Sequence, residues 1–242
     1  MNMDTMWELA FINAIAEVEE KTGTNPTDWR TGGKSKVALP MGEDKAWWDE
    51  KGRKMFYDFV NVWQESHMEI WTSPQGVPGI EIEFNVNFED VPVKAFADLV
   101  AVLPTGELAI IDFKTGKYVP DNAMQLGVYA CCMEMVFGIR PTRGFYYSAR
   151  KGMFVEVGGL DRWTIPVFSD MFKKFAKGLE EEIFLPNIGM SCNTCGVKEY
   201  CYAVGGQLAQ IYDPLAQLNV KLTTTKKAGK NGNRRNKAPS QL

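Results

Sequence analysis

The chain has 242 residues, of which 45% are hydrophobic and 24% charged, a composition that excludes collagen-like, disulfide-stapled and wholly disordered proteins. Its net charge of −3 is unevenly spread. Residues 219–242 hold seven of the 27 basic residues and no acidic one, so residues 1–218 keep 20 basic against 30 acidic side chains, a net charge of −10. We therefore predict a folded acidic domain over residues 1–218 and a disordered basic tail over residues 219–242.

The sequence contains no recognisable targeting segment or membrane anchor. Residues 1–20 carry five acidic side chains and no basic one, which is unlike a secretory signal or a transit peptide. No apolar run approaches the roughly 18 residues that a membrane span needs. We expect a cytoplasmic protein with no membrane partner, in which the five cysteines are free thiols or metal ligands rather than disulfides.

Apolar residues at helical spacing predict two N-terminal helices, and the pattern then changes to the alternation of strands. Asp44 is the expected N-cap of the second helix. The predicted elements are, in chain order, helices over 4–21 and 44–71, strands over 80–86, 93–103 and 108–114, a helix over 122–137, strands over 144–148 and 153–157, and a helix over 169–184. This order predicts an α/β fold with a central mixed sheet, built on the 80–114 meander and flanked by helices.

Two aspartates and a lysine stand out in the predicted strands. Asp98 lies within an apolar run, where a carboxylate is costly to bury without compensation. Asp112 and Lys114 are two apart in the next strand, so their side chains share a face. A short turn between the strands lets Asp98 face Asp112, and at about 4 Å their repulsion would cost roughly 4 kcal/mol at an effective dielectric constant of about 20.

A divalent cation would turn this repulsion into a binding site, and hard oxygen ligands favour Mg²⁺ or Mn²⁺. An ammonium group beside the cation, here from Lys114, can orient a water molecule or stabilise charge on a phosphate. Two carboxylates and a lysine are thus sufficient for metal-assisted hydrolysis of a phosphodiester. The alternative for an isolated Asp-x-Lys is a salt-bridged hairpin with both side chains exposed.

The segment 110–117 reads IIDFKTGK, and residues 125–129 read QLGVY. An Asp, then Asp-x-Lys, then Gln-x-x-x-Tyr resembles the RecB-type branch of the PD-(D/E)XK nucleases. That branch includes the nuclease domains of RecB and AddB and the CRISPR-associated (Cas-four-type) iron–sulfur exonucleases. The resemblance implies a restriction-endonuclease-like core.

The resemblance also implies roles for single residues. Asp98 and Asp112 would hold the metal with the carbonyl of Phe113, and Lys114 would serve the nucleophilic water. A further metal ligand would be Glu83, with Glu81 as a weaker choice. The expected DNA contacts are Gln125, Tyr129 and Lys117. Gln125 and Tyr129 are four apart, which places them on one helical face.

Cys192, Cys195 and Cys201 form a Cys-x2-Cys-x5-Cys series within a predicted module over residues 186–204, and spaced cysteines of this kind are typical of metal ligands. In the iron–sulfur members of the family the same spacing holds a [4Fe–4S] cluster together with a cysteine from near the N-terminus. This chain has no cysteine before Cys131. The alternatives are a non-cysteine fourth ligand, zinc bound with His67, or a loop of three free thiols.

These observations predict a Mg²⁺- or Mn²⁺-dependent DNA nuclease. We expect an exonuclease that acts on DNA ends or single strands through metal-activated water, with an endonuclease as a variant. Replication or recombination proteins are the expected partners, and the basic tail would contact phosphates regardless of DNA sequence. The alternative from another class is a non-catalytic DNA-binding or assembly factor that retains the nuclease fold.

Overall fold

The computed structural model describes residues 2–29, 42–183 and 185–209. The predicted basic tail and the predicted domain boundary at residue 218 lie outside the described residues. The chain divides into two compact units, one over residues 1–181 and a second that begins at residue 182. No helix among the described residues is long and apolar enough to cross a membrane.

The first unit contains the predicted helices and strands, with one additional short strand. Within the described residues the helices are α1 (Met3–Thr22), α2 (Lys45–Ser66), α3 (Met124–Phe137) and α4 (Ile165–Glu180). The strands are β1 (Glu69–Ile70), β2 (Ile80–Phe88), β3 (Val91–Val102), β4 (Leu108–Lys114), β5 (Arg143–Ser148) and β6 (Met153–Glu156).

Helix α2 begins as predicted, because the Asp44 side chain accepts a hydrogen bond from the backbone N–H of Trp47. It ends five residues earlier than the predicted 71. His67 adopts a left-handed conformation with φ of 52°, and the two residues of β1 then pair with the end of β3. Helix α4 begins at Ile165 rather than at residue 169, because Pro166 is tolerated in the first helical turn.

The strands form one mixed sheet in the order β1-β3-β4-β5-β6, with β2 also paired to β3. Neighbouring strands are antiparallel except β4 and β5, which are parallel and are connected through α3. The α/β class and the central mixed sheet are therefore confirmed.

Helices cover both faces of the sheet. Leu126, Ala130 and Met133 of α3 pack with Phe168 of α4 in the larger core, whereas Phe59 and Trp63 of α2 pack on the opposite face. Helix α1 lies on α2 instead of the sheet, where the Trp7 ring stacks on Phe11 and meets the ring of Phe56 at a tilt. This arrangement leaves the C-terminal end of β4 next to the N-terminal end of α3.

Candidate active site

Two carboxylates meet where the β3–β4 ladder ends. The last register pair is Leu99 with Ile111, so the next positions, Asp98 and Asp112, lie opposite each other and project from the same face. Asp98 Oδ2 accepts a 2.8 Å hydrogen bond from the backbone N–H of Phe113. This bond joins the two strands beyond their last ladder pair.

The regular alternation of β3 is interrupted at Asp98. Ala97 and Val100 belong to the same core on the α3 side, although residues three apart in a regular strand face opposite sides. The β2–β3 ladder also omits the pair of Asp98 with Glu81, and Glu81 has a positive φ of 48°. The register is the same on both sides of this gap, with Ile80 opposite Leu99 and Ile82 opposite Ala97, so neither strand contains an extra residue.

Asp112 is a buried carboxylate, 3% exposed. Burial raises the pKa of Asp112 above the ordinary value for Asp; the ammonium of Lys114 opposes this rise, and the charge of Asp98 adds to it. Lys114 Nζ lies 2.6 Å from Asp112 Oδ2. The two groups form an ion pair without hydrogen-bond geometry. Asp112 Oδ2 receives no aligned hydrogen bond from the described residues.

Gln125, in the first turn of α3, connects the charged groups. Its Oε1 accepts a 2.8 Å hydrogen bond from Lys114 Nζ, and its Nε2 donates 2.8 Å hydrogen bonds to Asp112 Oδ1 and to the hydroxyl of Tyr129. Lys114 also lies over the ring of Tyr146, with Nζ 5.2 Å from the ring centroid. The structure therefore brings together Asp98, Asp112, Lys114, Gln125 and Tyr129.

The donor atoms of this cluster fit a hard divalent cation. Asp112 Oδ2 has no aligned donor, and the neighbouring Asp98 carboxylate is a second hard oxygen ligand. Among the described residues no third His, Cys, Asp or Glu completes a metal-binding group. Mg²⁺ accepts such a site, since it is typically held by one or two carboxylates and leaves further positions to water and phosphate oxygens.

The family model of the PD-(D/E)XK nuclease superfamily matches residues 14–202, well over half of the chain. The chain belongs to the PD-(D/E)XK nuclease superfamily. Membership of this superfamily confirms the restriction-endonuclease-like core.

Two phage proteins are also similar to this chain. "Gene 69 protein" of Mycobacterium phage D29 is 33% identical over 140 residues, which are 55% of this chain and 51% of that protein. "Gene 69 protein" of Mycobacterium phage L5 is 28% identical over 168 residues, 64% of this chain and 57% of that protein. The chain thus spans little more than half the length of these relatives.

The structure does not bring Glu83, an expected metal ligand, together with the two aspartates. Its carboxylate accepts a 2.7 Å hydrogen bond from Asn85 and lies 2.9 Å from the ammonium of Lys94, and these contacts, with that of Asn85 first, lower the pKa of Glu83. Its strand neighbours Ile82 and Phe84 contribute to the core on the α3 side. Glu83 therefore projects from the opposite face of the sheet, because side chains alternate along a strand.

Phe113 and Lys117 are two other expected residues, in β4 and in the loop that follows it. Phe113 reaches Asp98 through its N–H, whereas its ring packs 5.1 Å from that of Phe59; its carbonyl as a metal ligand stays a prediction. Lys117 is exposed in the loop that follows β4. Its charge contributes to lowering the pKa of Glu43, after the larger effect of Arg150, and its contact with DNA stays a prediction.

A buried ion pair that sequence reasoning missed supports this loop. The guanidinium of Arg150 donates to both carboxylate oxygens of Glu43, at 3.1 and 2.7 Å, and its Nε donates a 2.7 Å hydrogen bond to the carbonyl of Thr115. Trp47 and Trp48 lie against the same guanidinium, with ring centroids 5.2 and 5.6 Å away. Arg150 thereby links the start of α2 to the residue that follows Lys114.

The three cysteines of the predicted Cys-x2-Cys-x5-Cys series lie in the second unit. Cys192 Sγ accepts a 3.4 Å hydrogen bond from the backbone N–H of Gly189, Cys195 is exposed and Cys201 half-buried. No three His, Cys, Asp or Glu side chains in the described parts of the chain are arranged to hold a metal ion. The binding of a [4Fe–4S] cluster or zinc by these thiols therefore stays a prediction.

The remaining candidates have structural positions in the first unit. Cys131 and Cys132 are fully buried in the core of α3, and burial raises the pKa of the Cys132 thiol to about 12. His67 is the exposed C-cap residue of α2. Gly127, between Gln125 and Tyr129, allows Trp163 to approach α3, since an added Cβ would lie 2.3 Å from Cβ of Trp163.

Proposed function

We propose that this chain is a RecB-type deoxyribonuclease that uses Mg²⁺ or Mn²⁺ and degrades DNA from ends or along single strands. The observation that carries the proposal is the convergence of Asp98, Asp112 and Lys114 on one face of the sheet, joined by Gln125. A factor that only binds DNA gains nothing from two adjacent carboxylates near phosphates, because like charges repel.

Asp98 and Asp112 are the residues that would hold the cation. When bound, the cation supplies Lewis-acid polarisation of the phosphate and lowers the pKa of a water molecule. The ammonium of Lys114 stabilises negative charge on the phosphate oxygens and orients the attacking water. Gln125 holds Lys114 and Asp112 at fixed positions through its two amide atoms, so little reorganisation is needed during the reaction.

Regions beyond this cluster support DNA as the substrate. The seven basic residues of 219–242 provide salt-dependent attraction to phosphates, which the acidic remainder of the chain lacks. Lys117, in the loop after β4, is a further phosphate contact. A nuclease with these features would process DNA ends in the cytoplasm during replication, recombination or repair.

Digestion of three labelled substrates tests the proposal: linear single-stranded DNA, linear duplex DNA and closed circular single-stranded DNA, each with Mg²⁺, Mn²⁺ or EDTA. We expect stepwise shortening of the linear DNA only with a divalent metal, whereas the circle stays intact. Cleavage of the circle would instead identify an endonuclease. DNA binding without cleavage under any metal condition would support the non-catalytic factor and overturn the proposal.

The cysteine module is a second candidate site, supported by its Cys-x2-Cys-x5-Cys spacing alone. Three thiolates leave one ligand to be supplied from elsewhere. Iron and zinc analysis with a visible absorption spectrum of anaerobically purified protein tests it. Stoichiometric iron with sulfide absorption supports a cluster, stoichiometric zinc supports a zinc site, and metal-free protein leaves three free thiols.

A further inference from the structure

Ser148 lies beside the active site, although no sequence motif includes it. The parallel ladder of β4 and β5 pairs Asp112 with Tyr146 and Lys114 with Ser148. The Tyr146 hydroxyl donates to the carbonyl of Asn122 in the segment that leads into α3. Side chains alternate along a strand, so Ser148 projects from the same face as Tyr146, the face that carries Lys114 and Asp112.

The hydroxyl of Ser148 has no partner within the described residues. The residue is fully buried, and its Oγ makes no hydrogen bond. Buried hydroxyls are nearly always hydrogen-bonded, and each exception in a native protein calls for an explanation. A serine hydroxyl can accept a hydrogen bond from an ammonium group.

Lys114, which is paired with Ser148 across β4 and β5, has donors to offer. Its ammonium has three donors, and it contacts Gln125 Oε1 at 2.8 Å and Asp112 Oδ2 at 2.6 Å. A cation on Asp112 would compete with the ammonium for Oδ2 and would also repel it. The ammonium then needs another acceptor, and Ser148 is the residue paired with Lys114 across β4 and β5.

We propose that Ser148 is a positioning residue that accepts a hydrogen bond from Lys114 when a divalent cation occupies Asp98 and Asp112. The ammonium then lies between Gln125 and Ser148, over the ring of Tyr146, and close to the cation without contacting the same carboxylate oxygen. The expected effect of Ser148 on the rate of DNA cleavage rests on the proposed nuclease function.

Tyr147 provides a matched control. Its hydroxyl is also buried without a hydrogen-bond partner among the described residues, but its ring packs against Phe59 of α2 on the opposite face of the sheet. Tyr147→Phe and Ser148→Ala therefore remove the same kind of group from adjacent residues. Only Ser148→Ala removes it from the face of Lys114.

The experiment measures kcat and KM for single-stranded DNA and the thermal unfolding of both variants without metal. We expect Ser148→Ala to lower kcat about 10- to 100-fold, with KM unchanged and no loss of stability, because the hydroxyl has no partner in the metal-free protein. Tyr147→Phe should retain the wild-type kcat. A wild-type kcat in Ser148→Ala, an equal loss in both variants, or a loss of stability in Ser148→Ala that parallels its loss of kcat would overturn the proposal.

A crystal structure of the full chain with Ca²⁺ separates this inference from the proposed function. We expect Lys114 Nζ within hydrogen-bond distance of Ser148 Oγ. A structure with Ca²⁺ on Asp112 in which Ser148 Oγ contacts a group other than Lys114 would overturn the inference. If wild-type protein fails to cleave DNA, the nuclease proposal fails, and the Ca²⁺-loaded structure still decides the position of Lys114.

Discussion

The carboxylate of Asp98 is held by the backbone N–H of Phe113, the residue that separates Asp112 from Lys114. Phe113, the middle residue of the Asp-x-Lys motif, thus fixes Asp98, while its neighbours Asp112 and Lys114 project into the site. The hydrogen bond continues the β3–β4 connection past the last ladder pair. The three charged groups therefore occupy one rigid junction of two strands instead of a flexible loop.

Gln125 should be required both for stability and for cleavage. Gln125→Leu leaves Asp112 Oδ1 buried without the amide donor, which should lower the free energy of unfolding by about 1–3 kcal/mol. Lys114 also loses its fixed position, so DNA cleavage should fall about 10- to 100-fold. Urea unfolding and a labelled-DNA assay measure the two effects.

Tyr129→Phe is the control for Gln125, because it removes only the hydroxyl that accepts from Gln125 Nε2. Its loss should be smaller, about 0.5–1.5 kcal/mol, with most of the cleavage activity retained. Equal losses of activity in Gln125→Leu and Tyr129→Phe would show that the amide does not act through Lys114 and Asp112.

Arg150→Ala should destabilise the protein strongly. The side chain of Glu43 is 7% exposed, and removal of its partner leaves a buried charge, which costs about 3 kcal/mol. Arg143→Ala is the matched control, since Arg143 bonds Glu107 and Glu156 at an exposed site, where ion pairs contribute little. Chemical unfolding compares the two, and a similar stability for both variants would contradict the role assigned to Arg150.

The free energy of unfolding should depend on pH in part through the titration of Asp112. Its pKa is raised by burial, so the folded state binds this proton more tightly than the unfolded state. The free energy of unfolding attributable to Asp112 therefore decreases as the pH rises from about 4, the ordinary range for Asp, through the raised pKa. Glu43, whose pKa is lowered by Arg150, contributes in the opposite direction.

The difference between wild-type protein and Asp112→Asn isolates this contribution. Urea unfolding in EDTA, from about pH 4 to about pH 8, should show a wild-type stability that decreases relative to Asp112→Asn as the pH rises. An unchanging difference across this range would mean that the pKa of Asp112 is the same in the folded and unfolded states.

Local patterns were sufficient to predict most of the catalytic cluster. Asp112 and Lys114 share a face because residues two apart in a strand do so, and Gln125 and Tyr129 meet because residues four apart in a helix do so. Glu83, expected as a metal ligand, lies instead on the other face of β2, away from Asp98 and Asp112. Sequence alternation identifies neither which face is buried nor the interruption of the strand pairing at Asp98.

Long-range partners could not be predicted in the same way. Glu43 and Arg150 are 107 positions apart, and nothing in either local sequence indicates the other. Ser148 ends a strand that was predicted, but its proximity to Lys114 depends on the parallel register of β4 and β5. The early end of α2 at His67 was missed because the following residues, 68–71, also suit a helix by hydrophobicity.

The most direct measurement is the metal-dependent digestion of end-labelled single-stranded DNA by wild-type protein, Asp112→Ala and Lys114→Ala, with folding of each checked by circular dichroism. We expect cleavage by wild-type protein that EDTA abolishes. Each folded variant should lose at least about 100-fold of this activity. Wild-type cleavage rates in either folded variant would contradict the assignment of the active site to Asp98, Asp112 and Lys114.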